Sequence, residues 1–174
     1  MLTLRSLELG AGGGLVGLAI AIGCSVDHLI YITDQENMFD LMGKNISLNG
    51  LESRVEGLVL NWYIRPHLLD YSSDKNLRGE SLPPEVLQQK PNVILAADCV
   101  YFEPAFPLLL STLGDLLELC REATIYFCFK KRRRADMQFM KNAKKRFVVE
   151  EIEDQDREAF SREGLFLYTF KRKP

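Results

Sequence analysis

The sequence predicts an α/β fold with a mainly parallel sheet. Three observations carry this. Strand-like and helix-like stretches alternate along 174 residues with no internal repeat. A glycine-rich turn, with five glycines among the eight residues from Gly10 to Gly17, separates the first strand from the first helix. Asn92–Ala97 is an apolar run of the kind expected for a strand buried on both faces.

The elements follow in order. Leu4–Leu9 reads as the first strand and Leu15–Ile22 as the first helix. The second strand, His28–Thr33, ends on Asp34. The next helix, Glu36–Asn49, gathers Met38, Leu41, Met42 and Ile46 on a face, and Asn49-Gly50 stops it. Arg54–Leu60 is the third strand. From Tyr63 to Pro91 the periodicity weakens. Pro66, Pro83, Pro84 and Pro91 with a Ser/Asp/Asn-rich middle predict a long connection carrying one short helix, Pro84–Gln89. Strand Asn92–Ala97, helix Ala105–Cys120, strand Ala123–Phe129 and helix Ala135–Arg146 continue the alternation. The last helix turns Phe139, Met140, Ala143 and Phe147 inward and Lys141, Lys144 and Lys145 outward. Two strands, Phe147–Ile152 and Leu165–Lys171, close the chain as an antiparallel pair joined by an acidic linker.

Length predicts one domain with a good core. Hydrophobic residues make up 47% and charged residues 26%, an ordinary globular balance. A net charge of −2 argues against general nucleic-acid binding. Cys24, Cys99, Cys120 and Cys128 form no C-x-x-C pair, and His28 and His67 lie near none of them. This speaks against zinc and for a reduced, intracellular chain. Leu9 to Val26 carry no charge, but the first third is glycine turn and the remainder is too short to span a membrane. A signal peptide fits no better, since Arg5 is its only basic residue and Leu7-Glu8-Leu9 interrupts the apolar part. The sequon Asn45-Ile46-Ser47 therefore carries no weight.

Strand, glycine turn, helix is the context that cradles a nucleotide. Glycine permits positive φ and close approach, and the helix aims free N–H groups at the turn. Gly12-x-Gly14-x-x-Gly17 also fits a dinucleotide fingerprint, and a tight turn with no ligand is the plain alternative. Asp34 lies 20 residues after Gly14, where a carboxylate can accept both hydroxyls of a ribose; a helix N-cap is its other reading. Glu8, a charge inside a buried strand, demands a partner. Asp98 ends the fourth strand and faces the same crevice as the glycine turn, against the alternative of a capping aspartate. Cys99 has no apparent base to make it a nucleophile. Trp62 suits a purine face or the rim of the core. His67 reads as a solvated loop histidine before a general base. Lys130-Lys131-Arg132-Arg133-Arg134 is a nuclear signal, a nucleic-acid patch, a dock for an acidic partner, or a solvated turn. Basic charge at a helix N-terminus opposes the dipole and so favours a partner.

Taken together, Leu7-Glu8-Leu9-Gly10-x-Gly12-x-Gly14, Thr33-Asp34, Asn45 to Asn49, Asn61-Trp62 and Asp98-Cys99-Val100-Tyr101 resemble the seven-β-strand S-adenosylmethionine-dependent methyltransferases. Within them the chain looks like the protein-lysine methyltransferases with an Asp-x-x-Tyr motif. Tyr126 to Asp136, with the aromatic, Lys-rich helix that follows, looks most like the fungal members that methylate translation elongation factor 1-alpha. The resemblance implies a Rossmann-like seven-stranded sheet, mostly parallel with an antiparallel C-terminal pair. It implies S-adenosyl-L-methionine held by Glu8, Gly10, Gly12, Gly14, Asp34, Trp62 and Asp98, with Asp98 catalytic and Tyr101 shaping a lysine channel.

There are two departures. The family more often has Asp than Asn before the tryptophan, and it carries a segment ahead of the first strand. The expectation is thus one domain over residues 1–174, N-terminally truncated, monomeric, and cytoplasmic with the nucleus as second compartment. Alone it is expected to bind cofactor weakly and to aggregate. Membrane and nucleic-acid partners are not expected. Two rivals stand beside this reading: a non-catalytic module of the same fold, and a nicotinamide-dependent oxidoreductase. Against the second, the residue four after Tyr101 is Ala105, not Lys.

Overall fold

The computed structural model describes residues 3–62 and 81–174. His67, Pro66 and most of the long connection lie outside the described residues. The strands are β1 (Ser6–Leu9), β2 (Ile30–Asp34), β3 (Val55–Val59), β4 (Val93–Ala97), β5 (Thr124–Lys130), β6 (Phe147–Glu151) and β7 (Leu165–Arg172). The helices are α1 (Leu15–Gly23), α2 (Glu36–Leu48), α3 (Pro84–Gln89), α4 (Phe106–Leu119), α5 (Arg134–Arg146) and α6 (Arg157–Arg162). They build a seven-stranded sheet in the order β3-β2-β1-β4-β5-β7-β6. β1 to β5 pair in parallel, and β7 runs antiparallel to both β5 and β6.

Sequence punctuation explains the boundaries. Gly14, at φ +85, opens α1, and Asn49 with Gly50 at φ +64 closes α2. β1 begins at Ser6, two residues later than the apolar pattern suggests, and Leu4 stays exposed. Arg5 instead lends its carbonyl to the N–H groups of Asn92 and Val93. α6 interrupts the stretch expected to be a plain acidic linker. None of its residues is buried, so it has no apolar stripe to betray it.

Two hydrophobic cores pack against the sheet, the larger taking in residues from β1 and β3 to β7 and the smaller gathered around β2. The larger is aromatic: Phe127 stacks on Phe139 at 5.4 Å and on Phe170 at 4.8 Å, and α4 adds Leu109, Leu113 and Leu116, all fully buried. Rings at such offsets add to their burial energy. The smaller joins Leu18 and Ala21 of α1, Ile30 and Ile32 of β2, and Met42 and Ile46 of α2.

Register positions the functional residues. Leu9 at the end of β1 lies beside Thr33 of β2 and Ala96 of β4. Gly10 and Asp34, the next residues, and Asp98, two past Ala96, therefore emerge near one another at the ends of three neighbouring parallel strands. That edge, beyond the carboxyl ends of the strands, is where open α/β sheets bind ligands.

A candidate cofactor and substrate site

The glycine turn is shaped by what surrounds it. Gly10, Gly12 and Gly14 all have positive φ, at 66°, 56° and 85°. A Cβ on Gly10 would sit 2.9 Å from Cys99 Sγ and 3.6 Å from the Trp62 ring nitrogen. A Cβ on Gly14 would sit 2.6 Å from Ile32 Cδ1, and one on Gly17 would strike Ile32. At Gly12, by contrast, a Cβ would meet no protein atom within 4 Å. The space beside Gly12 is open, so a ligand can approach the turn closely there.

Three contacts pin the turn. Asp34 Oδ2 accepts the Gly12 N–H at 2.6 Å, while Oδ1 accepts the Gln35 N–H at 2.7 Å. Ala11 N–H bonds to the Thr33 carbonyl. Asn45 of α2 donates its amide to the Gly13 carbonyl at 2.8 Å. The N-cap of α2 is Gln35, so Asp34 is not spent as a helix cap. Its oxygens keep further lone pairs for hydroxyl donors.

Glu8 has the partner its burial demanded. It is 2% exposed, and Oε2 accepts the Gly17 N–H at 2.7 Å. The carboxylate thus lies beneath the turn and holds the start of α1. Burial pushes its pKa up to about 7, against the pull of the Gly17 and Val16 N–H groups and with help from the Asp34 charge. Because the folded value is raised, Glu8 contributes stability that is complete below about pH 4.5 and lost as pH rises through 7. The Glu8→Gln variant has no such loss. The stability difference between wild type and Glu8→Gln is expected to move by about 3 kcal/mol in the variant's favour across that window. Urea melts of both forms at pH 5 to 8 check this, and a constant difference refutes it.

The turn and the Asp98–Tyr101 loop enclose one cavity of about 250 Å³. Gly10, Gly12, Asp34, Trp62, Cys99 and Tyr101 line it, all singled out in the sequence. Gln35, Asn37 and Met38 also line it and were missed there. Their signal was position alone, in the first turn after Asp34. Glu8, Gly14 and Asp98 are not among the described lining residues. Trp62 is 3% exposed and belongs to the larger core as well as to the cavity wall. Cys99 is 4% exposed, and its thiol donates to the Leu9 carbonyl at 3.2 Å. Burial first, then the Asp34, Glu8 and Asp98 charges, hold it as a thiol, which removes it as a nucleophile.

Asp98 takes φ +57, an uncommon backbone for a residue with a Cβ. Its N–H reaches the Cys128 carbonyl of β5 at 2.7 Å. Its carboxylate is bound by Arg132 twice, Nη1 to Oδ1 at 2.7 Å and Nη2 to Oδ2 at 2.8 Å. That pairing holds the carboxyl below the usual carboxylate range. The next residue, Arg133, donates to the Tyr101 carbonyl at 2.8 Å. Both arginines are anchored by fully buried Asp136, which accepts their backbone N–H groups at 2.8 Å. The basic run is therefore not only a solvated face: two of its side chains brace the Asp98–Tyr101 loop. Among the described residues no His/Cys/Asp/Glu group could hold a metal ion, and no helix is long and apolar enough to cross a membrane.

The donor set suits a nucleoside. It offers a pinned glycine backbone, a carboxylate with spare lone pairs at the end of β2, and an indole on the wall. Together with the sheet order, this defines a Rossmann-like methyltransferase fold. The methyltransferase domain of METTL16 has it too, with a TM-score of 0.59 at 12% identity over 98% of this chain and 61% of that one. Residues 2–146 match the lysine methyltransferase family, to which the chain belongs. It is 37% identical to the protein-lysine N-methyltransferase EFM6 of Saccharomyces cerevisiae, over 97% of this chain and 67% of that protein. It is 34% identical to the EEF1A lysine methyltransferase 3 of Mus musculus, over 74% of this chain and 46% of that protein. The chain thus spans between about half and two thirds of these relatives. Family membership sets the nicotinamide-dependent rival aside.

Proposed function

We propose that the chain transfers methyl groups from S-adenosyl-L-methionine to a lysine of a protein substrate, and that translation elongation factor 1-alpha is that substrate. One observation carries the reading. The pinned glycine turn with Asp34 and the braced Asp98–Tyr101 loop flank a single cavity at the ends of β1, β2 and β4. Gly10, Gly12 and Asp34 would hold the cofactor's nucleoside, with Trp62 against its base. The bound cofactor supplies an electrophilic methyl group. The protein's own work is to orient an amine and to exclude water. Asp98 accepts the N–H bonds of the target amine, and Tyr101, 59% exposed at the cavity mouth, guides the lysine stem. The family supports a lysine as the acceptor, and the name of the mouse relative supports the choice of substrate. The cytoplasm, where that factor works, is the proposed compartment.

The test is incubation with radiolabelled S-adenosyl-L-methionine and purified elongation factor 1-alpha, followed by mass spectrometry of the labelled peptide. A methylated lysine is expected. Cofactor binding without label in any lysine-containing protein would instead favour the non-catalytic module.

A further inference from the structure

The Asp98–Arg132 pair bears on the proton that the target amine must lose. An ammonium has no lone pair with which to attack, and a free lysine amine stays protonated up to about pH 10.4. A bare carboxylate beside it worsens the problem, because an opposite charge within about 4–6 Å favours the charged form. Asp98 is not bare. Both of its oxygens take an N–H from one guanidinium, at 2.7 and 2.8 Å. Arginine remains charged at any working pH, and its planar fork matches the carboxylate. The pair is reachable, with side chains 52% exposed for Asp98 and 43% for Arg132. Each oxygen retains a lone pair for another donor.

The charges around the pair are arranged to keep it in place. From β5, Lys130 adds a cation toward Asp98, and the Cys128 thiol faces the same carboxylate. From α5, Asp136 faces Arg132 and is itself engaged by Arg133 at 3.2 Å. On the loop, Asp98 adds its charge to those of Asp34 and Glu8 at the buried Cys99 thiol. The backbone N–H of Arg132 is held by Asp136 at 2.8 Å, so the base of the side chain that reaches Asp98 is anchored.

Resting on the proposed function, we propose that Arg132 is a positioning residue that cancels the charge of Asp98, so that Asp98 aims a substrate amine by its N–H bonds without holding it as an ammonium. The ammonium loses its proton to water. The amine lone pair then forms the N–C bond while the methyl carbon's bond to the donor sulfur breaks, leaving that electron pair on sulfur. A nearby guanidinium also repels the protonated form of the incoming lysine, which pushes in the same direction.

Two variants separate charge from shape. Arg132→Gln keeps a donor but loses the charge, and Arg132→Lys keeps the charge but loses the fork. Titration of the Asp98 carboxyl by carbon NMR is expected to give a value below the usual range in wild type, a rise in Arg132→Gln and a smaller rise in Arg132→Lys. The acidic limb of the kcat/KM profile for a lysine peptide is expected to move up by about one pH unit or more in Arg132→Gln, and to return most of the way in Arg132→Lys. Calorimetric affinity for S-adenosyl-L-methionine should not change. An Asp98 that titrates normally in wild type overturns the inference. So does an Arg132→Gln variant that loses activity with its acidic limb unmoved, which means Arg132 only braces the loop. Wild type with no transfer to any lysine overturns the function, and this inference with it.

Discussion

Replacing Asp98 by Asn is expected to cut methyl transfer by about 10²–10³-fold, the scale of removing one preorganised electrostatic group from a reacting centre. The melting temperature should stay within a few degrees. Asp98 is half exposed, and exposed ion pairs such as the one with Arg132 contribute about 1 kcal/mol or less to folding. Asparagine tolerates the φ of +57, and the N–H bond to Cys128 survives because it belongs to the backbone. What the variant loses is the carboxylate itself. An incoming amine then meets a neutral amide and an uncompensated Arg132. Initial rates with saturating cofactor, alongside a thermal melt, decide the matter. Retained activity, or an unfolded variant, would make Asp98 a structural residue.

The second large effect is expected at Asp34. Asp34→Ala should weaken S-adenosyl-L-methionine binding by about 1.5–3 kcal/mol, or roughly 10- to 150-fold, the scale of hydrogen bonds to a charged group. Two losses combine there. The ribose hydroxyls lose their acceptor, and the Gly12 N–H loses the clamp that fixes the turn at 2.6 Å. Asp34→Asn separates them, since one side-chain oxygen remains for Gly12 while the charge is gone. Its affinity should fall between the other two. Calorimetry giving equal affinity for wild type and Asp34→Ala would remove Asp34 from the site.

The fold was legible because its punctuation is local. Glycine turns, Asn49-Gly50 and proline-marked starts fall where elements begin and end, and the observed boundaries agree to within two residues. α6 escaped because Phe160, its largest apolar residue, is 47% exposed and leaves no periodic stripe. The site was legible as a set of residues, since strand-end acids and a glycine turn are sequence patterns. Its wiring was not. Asp34 reaches Gly12 across 22 residues, and Arg132 reaches Asp98 across 34. Such pairings depend on which strands lie adjacent, which no window of sequence reports. One signal was available: Asp136 stands three residues after Arg133, the spacing of a capping box, and marks the basic run as an anchored turn. Glu8 was readable as needing a partner, and the partner is the N–H of Gly17, the last glycine of the motif itself.

The join between β1 and β4 has a kinetic meaning. β1 pairs with β2 across a short stretch, Leu7 beside Tyr31, but its other edge waits for Ile94. β4 and β5 form a second nearby pair, and β7 pairs with β5 on one edge and β6 on the other. The sheet therefore has two sets of local pairings and one long-range seam, whose closure carries the larger loop entropy. The site straddles that seam. Asp34 and the glycine turn come from the early half, and Asp98, Tyr101 and Arg132 from the late one. The proposed site is therefore complete only in the finished sheet, with β1 and β4 paired.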